Sequence, residues 1–194
     1  PNYASSEAVP ASENLHFSQG FCNEEARDCG AMYPFTRNAV GAMDFGGSAL
    51  NKFYNANNRQ GSRRVTSDIY ALATAILFQS PVQHFALAPN NLNDAPAYAI
   101  DFMKSVPTRW EEVRFIDGYP GKYIIMARRS GNKWYIAGVN AMEQPLQKTI
   151  TLPMLPGKSS VSLYQNGEMK EATLSKKQTI KVEIPTNGGF VIVK

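Results

Sequence analysis

Lys122-Tyr123-Ile124-Ile125-Met126-Ala127-Arg128-Arg129-Ser130-Gly131-Asn132-Lys133-Trp134-Tyr135-Ile136-Ala137-Gly138-Val139-Asn140 reads as two strands around a tight turn. Both arms are rich in β-branched and aromatic residues, and Gly131-Asn132 tolerates the positive φ that a short hairpin connection requires. The same grammar continues downstream, with strands expected over Gln147–Leu152, Val161–Gln165, Thr179–Ile184 and Phe190–Val193. Asn166-Gly167 and Asn187-Gly188-Gly189 punctuate them as turns. Ile180, Val182 and Ile184 alternate with Lys181 and Glu183, the pattern of a sheet with one buried and one wet face. Residues 106–194 therefore predict a small antiparallel β-sandwich.

Upstream the texture differs. Thr66 or Ser67 can cap a helix over Asp68–Phe78 that is apolar on most faces and that Pro81 ends, so it should be wedged between other elements. A second helix fits Asp94 to Lys104, with Pro96 in its first turn and Pro107 just beyond. Phe35 to Phe45 is a mostly apolar run between Pro34 and Gly46-Gly47, and predicts a short buried strand with a functional loop at its end. An Asn- and Arg-rich loop, Asn51 to Arg64, follows it.

Composition bounds the functions. The chain has 194 residues, 43% of them hydrophobic, which is ordinary globular composition. No apolar run approaches the roughly 20 residues needed to span a bilayer, and no membrane span is expected. The net charge of +4 is scattered over Arg59, Arg63, Arg64, Lys170, Lys176 and Lys177, not gathered on one stripe with stacking aromatics, so nucleic acid is not an expected partner. Cys22 and Cys29 share one loop with no second Cys or His pair nearby, which argues against a zinc site. A loop-closing disulfide and two free thiols are both compatible with that spacing.

The segment Pro1-Asn2-Tyr3-Ala4-Ser5-Ser6-Glu7-Ala8-Val9 reads as the end of a buried strand entering a polar loop, which predicts that the chain is the tail of something larger. Pro10 breaks any continuous helix, and Glu13 follows Glu7 by six residues. A loop carboxylic acid kept protonated by partial burial can protonate a leaving oxygen, and an ionised neighbour can hold a hard cation. Two solvated glutamates are the plain alternative, and Glu24, Glu25 and Asp28 in the next loop dilute the signal. Among other candidates, His16 reads as a surface or hydrogen-bonding residue and His84 as packed beside Phe85. Arg37 and Asp44 bracket the predicted strand and suit a supporting ion pair. Trp110 and Trp134 have the chemistry to stack on sugar rings, but Trp134 sits in an alternating strand pattern that places it in the sandwich core.

Three stretches taken together carry a resemblance: Ser6-Glu7-Ala8-Val9 with Glu13 following; Pro34-Phe35-Thr36-Arg37-Asn38-Ala39-Val40-Gly41-Ala42-Met43-Asp44-Phe45; and Trp110 through Asn140 with its Asp117-Gly118-Tyr119-Pro120-Gly121 turn. In order and spacing the chain resembles the C-terminal part of glycoside hydrolase family 97, the α-glucosidase and α-galactosidase family of Bacteroidetes. It departs from the family pattern at Pro10-Ala11-Ser12 and at Phe45-Gly46-Gly47-Ser48. The resemblance implies that residues 1–105 are the last βα units of a (β/α)8 TIM barrel and residues 106–194 a C-terminal antiparallel β-sandwich linked to oligomer contacts. It implies that Glu13 is the general acid, that Glu7 is a ligand of a bound calcium ion (Ca2+), and that the remaining ligands and the second catalytic carboxylate belong upstream. The implied partners are an oligosaccharide or α-glycoside substrate and a second copy of the chain, and the implied location is periplasmic or secreted. A non-catalytic module for subunit association or carbohydrate binding is the alternative.

Overall fold

The computed structural model describes residues 27, 29–43, 50, 65–83, 85 and 91–194. Among the described residues two longer helices, α1 (Asp68–Leu77) and α2 (Ala97–Ser105), and several short helical turns precede eight strands: β1 (Glu112–Tyr119), β2 (Tyr123–Ser130), β3 (Lys133–Asn140), β4 (Leu146–Thr151), β5 (Ser160–Gln165), β6 (Glu168–Thr173), β7 (Thr179–Ile184) and β8 (Gly189–Val193). Six strands form one sheet in the order β1-β2-β3-β8-β5-β6, and β4 pairs with β7 in a two-stranded ribbon. Every pairing is antiparallel.

The β2–β3 hairpin is the centre of the sheet. Its register sets Ser130 opposite Lys133, leaving Gly131-Asn132 as the loop, and only the glycine takes positive φ, at 57°. At Asn166-Gly167 both residues do, at 54° and 81°, which matches the twist of the strands they join. Leu174, Leu163 and Val161 then fall on the same side as Ile125, Ile136, Phe190 and Ile192, where they pack on Ile150, Val182 and Ile184 of the ribbon. This is the sandwich that alternation predicts.

The other face of the six-stranded sheet corrects the expectation of a wet side. Ile124, Met126, Tyr135, Ala137, Val139 and Val191 form one core with Tyr70, Leu72, Ala73, Ile76 and Leu77 of α1 and with Phe102 of α2. Burial is therefore unbroken along β3 from Trp134 to Asn140 and along most of β2. Strands covered on both faces lose their alternation, as these do. The molecule is layered as helices, six-stranded sheet and two-stranded ribbon.

Local chemistry explains α1. Ser67 caps it by accepting from the Tyr70 N–H at 3.0 Å, and all residues from Ile69 to Leu77 are buried, as a helix apolar on every side demands. Its N-terminal turn lies directly on β8. A Cβ added at Gly189 would stand 2.8 Å from the Gly138 carbonyl oxygen and 3.1 Å from Tyr70 Cα, both backbone atoms. Glycine at 189 is what lets helix and sheet approach so closely.

Phe35–Phe45 does not form the predicted strand over its described part. Tyr33–Phe35 is a 3-10 turn with Pro34 presetting its φ, and Arg37–Val40 is a short helical turn. Val40 is 81% exposed while Met43 is fully buried, so the run is not buried as a strand would be. Among the described residues no neighbouring strand supplies a ladder there: the Thr36 N–H bonds the Tyr33 carbonyl, the Ala39 N–H the Thr36 carbonyl, and the Met43 N–H the Gln79 carbonyl at 2.8 Å. No strand of a barrel is present among the described residues before β1.

Asn140 pins one end of the sandwich. Fully buried, its Nδ2 donates to the Gln144, Ile184 and Pro185 carbonyls at 2.8, 3.2 and 3.3 Å, and its Oδ1 accepts from the Met142 N–H at 2.9 Å. Asn140→Leu keeps the volume and strands several buried backbone groups. It should lower stability by about 2–3 kcal/mol, read as the shift in denaturant midpoint at unchanged slope; an unaltered midpoint would show that the Asn140 bonds contribute nothing net.

Candidate functional site

The acidic loop lies outside the described residues. Glu7, Glu13, His16 and Cys22 fall there, as do Asp44, Arg59, Arg63, Arg64 and His84, so the general-acid and calcium-ligand expectations concern residues outside the described set, and of the Cys22–Cys29 pair only Cys29 is described. Arg37 is described and sits in the short helical turn, with its Nε buried and without an acceptor among the described residues. Among the described residues no group of three His, Cys, Asp or Glu is arranged to hold a metal. No helix among them is long and apolar enough to cross a membrane.

Three polar constellations remain, and each can be built from its elements. The first joins sheet to ribbon. Tyr123 Oη donates to Asp117 Oδ1 at 3.0 Å, and Lys148 Nζ, reaching across from β4, donates to Asp117 Oδ2 at 2.9 Å and to Tyr123 Oη at 3.0 Å. The bulge between Phe115 and Asp117 turns the aspartate toward the ribbon. Partial burial pushes the Asp117 carboxyl up, but the Lys148 and Tyr123 hydrogen bonds outweigh it and hold the group below its ordinary range. The same bonds, with Tyr123 the larger contributor and Asp117 next, raise the Lys148 ammonium. Each group answers the others, so this is a clasp closing the open side of the sandwich and not an activated nucleophile. On the opposite side Gln165 Oε1 accepts from the Glu183 N–H at 2.8 Å, a second clasp.

The second constellation is Arg128, the one buried cation of the described sheet, 2% exposed. Its Nη2 donates to the Leu77 carbonyl at the end of α1 at 3.1 Å, and the guanidinium stands 6.0 Å from the Trp110 ring centroid. Arg128 Nε and Nη1 and Trp110 Nε1 are buried without acceptors among the described residues. Burial pushes the Arg128 guanidinium down to about 10. Trp110 itself stands edge-on to Tyr135 at 5.4 Å and so is packed, not presented as a stacking platform. Trp134 is in the sandwich core, as its strand pattern predicts, with Arg114 5.3 Å above its ring.

The third is an exposed depression of about 280 Å³ on the ribbon, lined by Gln147, Lys148, Thr149, Lys181, Val182 and Glu183. It has one carboxylate and no aromatic ring, whereas sites for sugars and other small molecules are mostly apolar and aromatic with a few convergent polar groups. Sequence reasoning misses all three constellations, because Lys148, Asp117 and Arg128 look like ordinary strand residues until pairing brings them to their partners. It also misses β1 and β6. Both are edge strands whose outward residues are charged or exposed, so they lack the buried-residue signal.

The comparisons with known proteins fit this architecture. A family model described as "Glycosyl-hydrolase 97 C-terminal, oligomerisation" matches residues 109–193, which span β1 to β8. A probable retaining alpha-galactosidase of Streptomyces bingchenggensis is 30% identical over 166 residues, covering 82% of this chain and 24% of that protein. The crystal structure of a beta-arabinopyranosidase is similar over 95% of this chain and 30% of its own, at 50% identity and a TM-score of 0.87. A glycoside hydrolase family 97 enzyme of Pseudoalteromonas sp. strain K8, in complex with panose, is similar over 86% and 28% respectively, at 26% identity and a TM-score of 0.73. The chain thus spans under a third of the length of these relatives.

Proposed function

Because the chain belongs to glycoside hydrolase family 97 and matches the C-terminal portion of its members, we propose that it is the C-terminal segment of a retaining glycosidase acting on α-galactoside-type bonds. The observation that carries this reading is the length of the match. It runs over 95% of the chain at 50% identity to a beta-arabinopyranosidase, well beyond the residues of the sandwich. Residues 1–105 then supply the last part of a (β/α)8 barrel and residues 106–194 the domain through which subunits associate.

In this reading Glu13 protonates the leaving glycosidic oxygen and afterwards, as a base, activates the water that releases the sugar. Retention needs a second carboxylate as nucleophile about 5–5.5 Å away, and it would come from another part of the enzyme. Glu7 offers the hard oxygen donor that calcium takes, with further ligands from outside the chain. A bound calcium would supply a fixed positive charge beside the sugar. The periplasm or the extracellular space, where such enzymes meet oligosaccharides, is the proposed location.

The relatives' names and stereochemistry support this substrate class. A β-L-arabinopyranoside is an α-D-galactopyranoside without its exocyclic hydroxymethyl group, so one pocket accommodates both, while an α-glucoside differs at the C4 hydroxyl. The enzyme containing this chain should cleave 4-nitrophenyl α-galactopyranoside and β-L-arabinopyranoside with kcat/KM about 100-fold or more above the α-glucopyranoside, the discrimination that a hydrogen-bonded hydroxyl provides. A preference for the glucoside would overturn the substrate assignment, and no turnover of any of the three would overturn the hydrolase reading.

A further inference from the structure

The six-stranded sheet has two edges, and they are guarded very differently. On β6 the outward residues are Glu168, Lys170 and Glu171, with Lys170 paired to Glu168 at 3.0 Å, the charged edge that proteins use to discourage strand association. On β1 Val113 and Phe115 are 47 and 58% exposed on the helix side of the sheet, while Tyr119, 60% exposed, ends the strand on the ribbon side. Within residues 109–193 the large exposed apolar side chains are these three and Met169, so three of the four lie on one strand. The patch formed by Val113 and Phe115 extends off the sheet: Phe35 meets Phe115 edge-on at 5.8 Å and lies over Gly118, and Met32, 36% exposed, lies by Gly121 in the β1–β2 turn. A contiguous apolar surface rimmed by polar groups marks an interaction site.

The charges around the patch indicate the occupant. Glu112 and Arg114 flank Val113 symmetrically and lie on the sheet face opposite to it, where Arg114 Nε donates to Glu112 Oε1 at 2.7 Å and Arg129 Nε to Glu112 Oε2 at 3.3 Å. A twofold axis at Val113 sets Glu112 of each copy opposite Arg114 of the other and Val113 opposite Val113. The strand is therefore self-complementary in charge and in apolar contact, as an isologous contact requires. We propose that β1, with Phe35 and Met32 beside it, is the surface through which two copies of this chain associate. This localises, and rests on, the association role assigned above to residues 106–194.

Sedimentation velocity of the protein carrying this chain, across a concentration series, tests it. The wild type should dimerise, and Phe115→Arg should raise the dissociation constant about 100-fold, as loss of a central aromatic anchor does. Met169→Arg at the opposite edge should leave it unchanged. Arg114→Glu should weaken the dimer, and adding Glu112→Arg should restore it. Because Phe115 and Met169 are exposed, the thermal transitions of those two variants, compared at a concentration where all are monomeric, should coincide with the wild type's. A dimer unaffected by Phe115→Arg, or weakened equally by Met169→Arg, overturns the assignment to β1 while leaving association itself standing. A wild type that stays monomeric at every concentration overturns both.

Discussion

Residues 106–194 produced alone should fail to fold cooperatively, although they contain all eight described strands. Removing the helices uncovers Ile124, Met126, Val139 and Val191, all buried on the helix side of the sheet. Burying each such side chain is worth about 1.5–3 kcal/mol, so their exposure forfeits roughly 6–12 kcal/mol. That is the size of a whole domain's stability, about 5–15 kcal/mol. Buried Arg128 would also lose its Leu77 carbonyl, and Asn187, whose carbonyl accepts from the Ser67 N–H at 2.9 Å, would lose the helix cap region it abuts. The expected product binds hydrophobic dyes, keeps far-ultraviolet strand signal and shows no sharp melt. A cooperative transition within a few degrees of that of the whole chain would show that the sheet's second face does not need its helices.

Glu13→Gln, made in the enzyme that contains this chain, should cut kcat/KM on α-galactosides with poor leaving groups by about 10²–10⁴. The amide keeps the shape and cannot give up a proton to the departing oxygen. An aryl glycoside with an acidic phenol leaves without that help, so its first step should be nearly spared and its turnover limited by the step in which Glu13 acts as base. Added azide, a nucleophile that needs no base, should restore turnover and yield a glycosyl azide of retained configuration. Glu24→Gln in the neighbouring loop serves as the control and should change little. Unaltered kcat/KM on the poor substrates would remove Glu13 from the reaction.

Residue periodicity carried much of the sandwich. Strands over Lys133–Asn140 and Thr179–Ile184 are where β propensity and turn residues place them, and α1 was legible from its cap and its unbroken apolar run. The Phe35–Phe45 run misled because apolar character is the same in a strand and in a helical turn, and only the presence of a partner strand decides between them. Edge strands β1 and β6 were invisible for the opposite reason, since a strand with few buried residues gives no alternation to detect. The acidic loop was legible only through its resemblance to a family, because two glutamates six residues apart in a loop carry little chemical information alone.

The sequence by itself determined the secondary elements with strong local signals, the antiparallel hairpins, and membership of a glycosidase family through its ordered motifs. Those depend on interactions between residues close in the chain, which propensity and spacing encode. Only the tertiary structure decided that the sheet is covered on both faces, that Lys148 closes on Asp117 and Tyr123, that Arg128 is entombed at the end of α1, and that β1 is left bare while β6 is charged. Each of these joins residues far apart in sequence, and burial or exposure at such places is set by which surfaces meet, a property no single segment possesses.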